Sequence, residues 1–129
     1  MTDPISDMIA RIKNAQNIQK AKVFVPHSKF KENFAKVLVT LDFIDSFKKV
    51  TRAKRMFLVL TLKYQNERPA ISDIIRISKP GRRYYISTKE ISKLTRGYTR
   101  LVISTPKGLM NDMDAKKTGL GGEVICRVW

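Results

Sequence analysis

Three observations predict an α/β (α+β) fold for this chain. Apolar residues first recur at helical spacing, as Ile5, Met8, Ile9 and Ile12 and then as Phe30, Phe34, Val37, Leu38 and Leu41. Over residues 43–64 the period drops to two, with Leu58, Leu60, Leu62 and Tyr64 on one side and Phe57, Val59, Thr61 and Lys63 on the other. Past residue 67, short apolar runs alternate with Pro and Gly breakers, the pattern of strands joined by tight turns. Together these predict two small packed subdomains. Residues 1–66 form helix, strand, helix and antiparallel strands, and residues 67–129 are mainly β with a short helix.

Asp3 before Pro4 marks a helix start, because the carboxylate caps free N–H groups and Pro at the first position loses no hydrogen bond. A helix over 3–16 follows, with Arg11 and Lys13 on its polar side as either a solvated face or a phosphate-contacting edge. Residues 23–25 form a strand stopped by Pro26, and Ser28 caps a second helix. The two strands of residues 43–64 join near 51–54, where Lys48, Lys49, Arg52, Lys54 and Arg55 make either a solvated hairpin tip or an RNA contact. Gln65, Asn66, Glu67, Arg68 and Pro69 supply the subdomain boundary. Beyond it, strands are expected at 74–78, 84–86, 101–105 and 124–129, with a turn at Pro80 and Gly81 and a helical turn or two at 88–94. Asn111 caps a short helix with Asp112 and Asp114 in its first turn, Lys116 and Lys117 in its last, and Gly119 just past its end.

The chain of 129 residues carries 26 Lys and Arg against 11 Asp and Glu, a net charge of +15. Residues 1–64 hold 13 basic and 5 acidic groups and residues 65–129 hold 13 and 6, so the excess is spread over both halves. Such self-repulsion opposes folding and points to a polyanionic partner. No run of about 18 apolar residues crosses a membrane and no signal-peptide pattern opens the chain, so a soluble, non-secreted protein is expected. The lone Cys126 excludes an internal disulfide and a cysteine-built zinc site, and on its strand it reads as a small core hydrophobe.

Catalysis has little to work with. His27 is the sole histidine, it follows Pro26 at a strand end, and no sequence neighbour resembles a nucleophile with an orienting carboxylate. Asp112 and Asp114 are explained by charge–dipole complementarity rather than metal ligation. Gly119, Gly121 and Gly122 match neither a Walker loop nor the dinucleotide fingerprint and are turn glycines. No enzyme, cofactor or metal is expected.

Between residues 79 and 100 the pattern changes. Lys79, Arg82, Arg83, Lys89, Lys93, Arg96 and Arg100 are opposed only by Glu90 and interleaved with Tyr84, Tyr85 and Tyr98. Cations neutralise phosphates and tyrosine rings stack on bases, so this is a nucleic-acid face. In a strand, one of Tyr84 and Tyr85 points inward, and alternation alone does not say which. Ser104, Thr105, Pro106, Lys107 and Gly108 form one polar turn, and Gly119 to Glu123 a second. Hydroxyls and backbone N–H groups in such turns suit phosphate, sugar and base edges.

The opening Asp3-Pro4-Ile5-Ser6-Asp7-Met8-Ile9-Ala10-Arg11-Ile12-Lys13-Asn14-Ala15 resembles the start of the bacterial-type small-subunit ribosomal protein eight family. Pro26-His27-Ser28-Lys29 is similar to its Pro-x-Ser-Lys element, residues 79–83 to its Lys-Pro-Gly-x-Arg turn, and residues 104–108 with Gly121, Gly122 and Glu123 to its C-terminal signature. The similarity runs over essentially the whole chain. It implies a structural protein of the small ribosomal subunit whose C-terminal part grips a stem in the central domain of 16S-type rRNA and helps it assemble. The implied RNA-binding residues are Ser104, Thr105, Lys107 and Gly108, with Tyr85 and Glu123 as supports and the first helix as a second contact surface. Arg82, Arg83, Lys54 and Arg55 join them as basic contacts on charge grounds. Many relatives carry Ser where this chain has Pro106, which loses a hydroxyl and stiffens the turn. The resemblance also implies a monomer within a cytoplasmic or organellar ribosome, with small-subunit proteins five and twelve as neighbours and, in some bacteria, repression of its own mRNA.

A-form RNA hides base edges in a deep, narrow major groove, so a small protein reads the minor groove, 2′-hydroxyls or unstacked nucleotides. Ser104 and Thr105 can donate and accept, Gly108 permits close backbone approach, and Lys107 attracts phosphate. Glu123, repelled by RNA as a charge, is expected to accept hydrogen bonds from this loop or from a 2′-hydroxyl. The alternative is a free-standing mRNA-binding repressor or a general nucleic-acid-binding protein, because charge alone does not distinguish polyanions.

Overall fold

In a computed structural model, which describes residues 3–95 and 97–129, Asp3 stands at the N-cap of the first helix, α1 (Pro4–Asn17). Its carboxylate accepts from the backbone N–H groups of Ile5 and Ser6, the role its place before Pro4 predicts. Strand β1 (Lys22–Pro26) leads to α2 (Lys29–Thr40), where the Ser28 hydroxyl accepts from the Lys31 N–H at 3.1 Å. Strands β2 (Ile44–Arg52) and β3 (Arg55–Leu62) complete a three-stranded antiparallel sheet in the order β1-β3-β2. Val25 faces Leu58 and Lys48 faces Val59 in its register. β3 is central, so Leu58, Val59, Leu60 and Leu62 are all buried, with Met8 and Ile12 of α1 and Phe34 and Leu38 of α2. Burying one such side chain contributes about 1.5–3 kcal/mol.

The hairpin between β2 and β3 turns at Ala53 and Lys54, whose φ values are +52° and +64°. Two consecutive residues in this region make the turn that matches sheet twist, a conformation Asn-Gly adopts more cheaply. The polar stretch expected to divide the chain forms a second such hairpin: β4 (Tyr64–Gln65) pairs with β5 (Arg68–Pro69) across Asn66 and Glu67, at φ +51° and +67°. The chain divides into two units after this hairpin, between Ile71 and Ser72.

In the C-terminal unit, five strands form one antiparallel sheet: β6 (Ile74–Arg76), β7 (Tyr85–Ile86), β8 (Arg100–Thr105), β9 (Gly108–Asn111) and β10 (Gly122–Val128). β10 is the axis, pairing with β8 on one edge and with β6 and then β7 on the other. Helix α3 (Thr88–Leu94) is fixed at its start by Glu90, which accepts from the N–H and hydroxyl of Ser87. Helix α4 (Asp112–Thr118) is capped by Asn111, whose side chain accepts from the Asp114 N–H at 2.9 Å, and closes at Gly119 with φ +69°. Ile86, Ile91, Leu101, Ile103, Ala115 and Val124 form the core cluster of this unit. Cys126 is fully buried, and burial pushes its thiol up to about 12, so it packs as a hydrophobe.

Strand β9 does not follow from the sequence pattern, since its four residues begin with the turn glycine and end with the helix cap, leaving only Leu109 and Met110 between and no room for alternation. The carboxylate of Asp112 also has a second role beyond the helix dipole. It is buried and accepts from Arg100 Nη1 at 2.9 Å and from the Leu101 N–H at 3.1 Å, tying α4 to β8.

Candidate nucleic-acid interface

Glu123 lies opposite Tyr85 of β7 on one side and opposite Ser104 of β8 on the other, and Ser104 lies opposite Leu109 of β9. Directly opposed residues in antiparallel strands project from the same face. Their inward neighbours Ile86, Val124 and Ile103 belong to the core, so Tyr85, Glu123 and Ser104 form a row across the outer face. Two glycines make this row possible. A Cβ on Gly122 would collide with the Ser104 carbonyl oxygen and come within 2.9 Å of its carbon, and one on Gly121 would collide with the Ile86 carbonyl oxygen. The signatures at 104–108 and 121–123 are therefore one site in space.

The Thr105–Gly108 segment turns β8 into β9, with Pro106 and Gly108 at the positions where a type I turn favours Pro and Gly. Gly108 has φ +112°, a value costly for any residue with a Cβ. The Thr105 hydroxyl donates to the Gly108 carbonyl at 2.7 Å and accepts from the Lys107 N–H at 3.2 Å, and Thr105 is only 8% exposed. Its hydroxyl braces the turn, whereas Lys107 and Gly108 are exposed and Ser104 is half-buried.

Glu123 Oε2 accepts from the Ser78 hydroxyl at 2.6 Å and from Arg83 Nη1 at 3.0 Å. Among the described residues these are its hydrogen-bond donors, and neither comes from the 104–108 turn. Ser78, itself buried, accepts from the Tyr84 N–H at 2.9 Å. Burial, and then the nearby Arg83 cation, push the Arg76 guanidinium below its ordinary value, partly offset by Glu123. Lys79 and Arg82 exchange both backbone hydrogen bonds around Pro80 and Gly81, whose φ of +80° suits this turn. Lys79, Arg82 and Arg83 are exposed on it.

The alternation expected for the tyrosines does not hold. Tyr84 is 43% exposed and Tyr85 68% exposed, because β7 is two residues long and its inward position falls on Ile86. Arg100 is also withdrawn from the expected basic face by its ion pair with Asp112. Arg96 lies outside the described residues. Tyr98 is almost fully exposed, and Lys89 and Lys93 are exposed on α3. Ser78 and Arg76 are missed by sequence reasoning. The one available signal is that Ser78 directly precedes the Lys79-Pro80-Gly81 turn.

In the N-terminal unit, Lys54 and Arg55 are exposed at the tip of the β2–β3 hairpin. A groove of about 350 Å³ between α1 and β1 is lined by Arg11, Asn14, Lys20 and Lys22 over Ile18 and Phe24. Arg11 hydrogen-bonds Asp7 at 2.9 Å and the Phe24 carbonyl at 3.3 Å, which fixes it on the groove wall. His27 Nε2 lies 2.8 Å from Glu32 Oε1, and Lys36 and Lys49 approach the same carboxylate. The His27 hydrogen bond above all, and then these cations, lower Glu32 to about 2 against the opposing effect of burial. Among the described residues, no three His, Cys, Asp or Glu side chains are grouped to hold a metal, and no helix is long and apolar enough to cross a membrane.

Fold and site together define a basic α+β protein with a braced polar row and an exposed cationic turn on its C-terminal unit. Residues 3–129 match the family described as Ribosomal protein S8. The chain is 46% identical over 130 residues to the small ribosomal subunit protein uS8 of Finegoldia magna, covering 100% of this chain and 99% of that protein. It is 45% identical to its counterpart in Cupriavidus metallidurans, covering 99% and 98%, and 41% identical to that of Dictyoglomus turgidum, covering 100% and 98%. This chain belongs to the ribosomal protein S8 family, a family of small-subunit ribosomal proteins.

Proposed function

We propose that this protein is a noncatalytic structural constituent of the small ribosomal subunit that binds a stem in the central domain of the 16S-type rRNA and helps that domain assemble. The observation that carries this reading is the row of Tyr85, Glu123 and Ser104 on the outer face of the C-terminal sheet, beside the braced 104–108 turn. A ring to stack on, an acceptor and a hydroxyl side by side suit distorted, unstacked nucleotides and 2′-hydroxyls, the features a folded stem offers a small protein.

Residues 67–129 supply the selective contact in this reading. Ser104, Lys107 and Gly108 approach the RNA directly and Thr105 holds their turn, while Arg82 and Arg83 neutralise flanking phosphates. Lys54, Arg55 and the basic groove beside α1 add sequence-independent attraction from the N-terminal unit. In the assembled particle the neighbours are small-subunit proteins five and twelve, and an rRNA-like stem in the protein's own mRNA would occupy the same face during autogenous repression. The ribosome concerned is cytoplasmic or organellar.

The test is equilibrium binding at physiological salt to the central-domain stem and to a scrambled stem of equal length. Preference for the native stem by far more than tenfold supports the reading. Equal, steeply salt-dependent binding to both would leave only a general polyanion surface.

A further inference from the structure

The buried hydroxyl of Ser78 belongs to none of the RNA contacts assigned above, yet it joins two strands of the site. It reaches from the β6–β7 connection to β10, donating to Glu123 Oε2 at 2.6 Å while accepting from the Tyr84 N–H at 2.9 Å. Ser78 is 1% exposed, and a hydroxyl that deeply placed is retained only with its partners satisfied. Its bond to the carboxylate is short and charge-assisted. Arg83 donates to the same oxygen at 3.0 Å, so both donors fall on Oε2 and none among the described residues falls on Oε1.

We infer that Ser78 is a positioning residue for RNA recognition. With Arg83 it locks one oxygen of Glu123 and holds the other as a fixed acceptor for a hydrogen-bond donor of the RNA. This rests on the reading that the outer face of the C-terminal sheet binds rRNA. A free carboxylate there would be repelled by the phosphates. Arg83 in contact and Arg76 nearby offset its charge, so Glu123 acts as an oriented acceptor rather than as net negative charge. With Oε2 occupied, Oε1 has room for one donor, and RNA supplies one from a 2′-hydroxyl or from the Watson–Crick edge of an unstacked base, as an exocyclic amine or a ring imino N–H.

The experiment is a double-mutant cycle on the full chain, reading affinity for the central-domain stem with Ser78→Ala, Glu123→Ala and both together. Ser78→Ala is expected to weaken binding about tenfold in the wild-type background, the scale of a lost buried hydrogen bond, and by less than about twofold once Glu123 is already Ala. Equal losses in both backgrounds, or no loss in the wild type, would overturn the inference. If Ser78→Ala proves unfolded by circular dichroism, Ser78→Cys, nearly equal in size and a weak donor, is put through the same cycle, where the same pattern of losses supports or overturns the inference.

Stems bearing single 2′-deoxy substitutions, or bases that lack one Watson–Crick-edge donor (inosine or N1-methylguanosine for guanosine, purine for adenosine, pyrimidin-2-one for cytidine, N3-methyluridine for uridine), separate the two sources. One substitution should cost the wild type about tenfold and the Glu123→Ala protein nothing. Finding none of either kind coupled to Glu123 would also overturn the inference. Wild-type protein that binds native and scrambled stems equally defeats instead the rRNA reading on which it rests.

Discussion

Gly122 packs so closely against Ser104 that a Cβ at the glycine would sit on the serine's carbonyl oxygen. The pairing of β10 with β8 at Glu123 and Ser104 therefore depends on a missing side chain. Gly122→Ala should part the strands at this point, at a cost of about 1–3 kcal/mol, as for overpacking elsewhere. Urea denaturation should show the lower midpoint, and affinity for the native stem should fall because Ser104 and Glu123 lose their spacing.

Thr105 makes a second, separable prediction. Its hydroxyl is engaged within the turn on both sides, so in the proposed function it acts through the shape of the 104–108 segment. Thr105→Ala should weaken binding by about 1–3 kcal/mol, whereas Thr105→Ser keeps the brace and most of the affinity. A direct affinity measurement on the two variants decides between them. Loss in both would show that the methyl group matters and the brace does not.

Asp112 and Arg100 should behave as a structural pair. Asp112→Ala leaves the buried Leu101 N–H and the Arg100 guanidinium without their acceptor, at a cost of about 1–3 kcal/mol in unfolding free energy. Urea titration reads that loss directly. Arg100 lies in a cation-rich stretch of sequence, and its withdrawal from the basic face depends on a carboxylate that the fold brings back from 12 residues away.

The acid side of the stability profile follows from Glu32. Its folded value of about 2 lies below the ordinary 4.5, so its stabilisation is fully present above about pH 4.5 and is lost as pH falls towards 2. Urea midpoints measured from pH 5 down to pH 2 should fall more steeply for the wild type than for Glu32→Gln. Parallel profiles would mean that the carboxylate beside His27, Lys36 and Lys49 has no net effect.

Much of the fold was legible from capping chemistry and periodicity. Asp3-Pro4, Ser28 and Asn111 each begin a helix where their side chains satisfy free N–H groups, and the alternation over β3 marks a strand. What stayed hidden lacked a local signal. Glu67 sits at φ +67° in the β4–β5 turn, a conformation its residue type does not announce, so the stretch expected as a subdomain boundary carries no local signal of its hairpin. The alternation that would turn one of Tyr84 and Tyr85 inward needs a longer strand than the two residues of β7. The site's polar turn and glycines were visible along the chain. Their meeting at Gly122 and Ser104, and the bond from Ser78 across 45 residues to Glu123, depend on strand register.

In the proposed function the outer row of the C-terminal sheet, rather than positive charge at large, selects the stem. Salt-titrated binding to native and scrambled stems by Ser104→Ala/Tyr85→Ala and by Lys54→Ala/Arg55→Ala tests this. The row variant should lose discrimination between the stems with its salt slope unchanged. The hairpin variant should keep discrimination, weaken on both stems alike, and lose about one unit of slope per phosphate contact removed. A row variant that still discriminates fully would contradict the account.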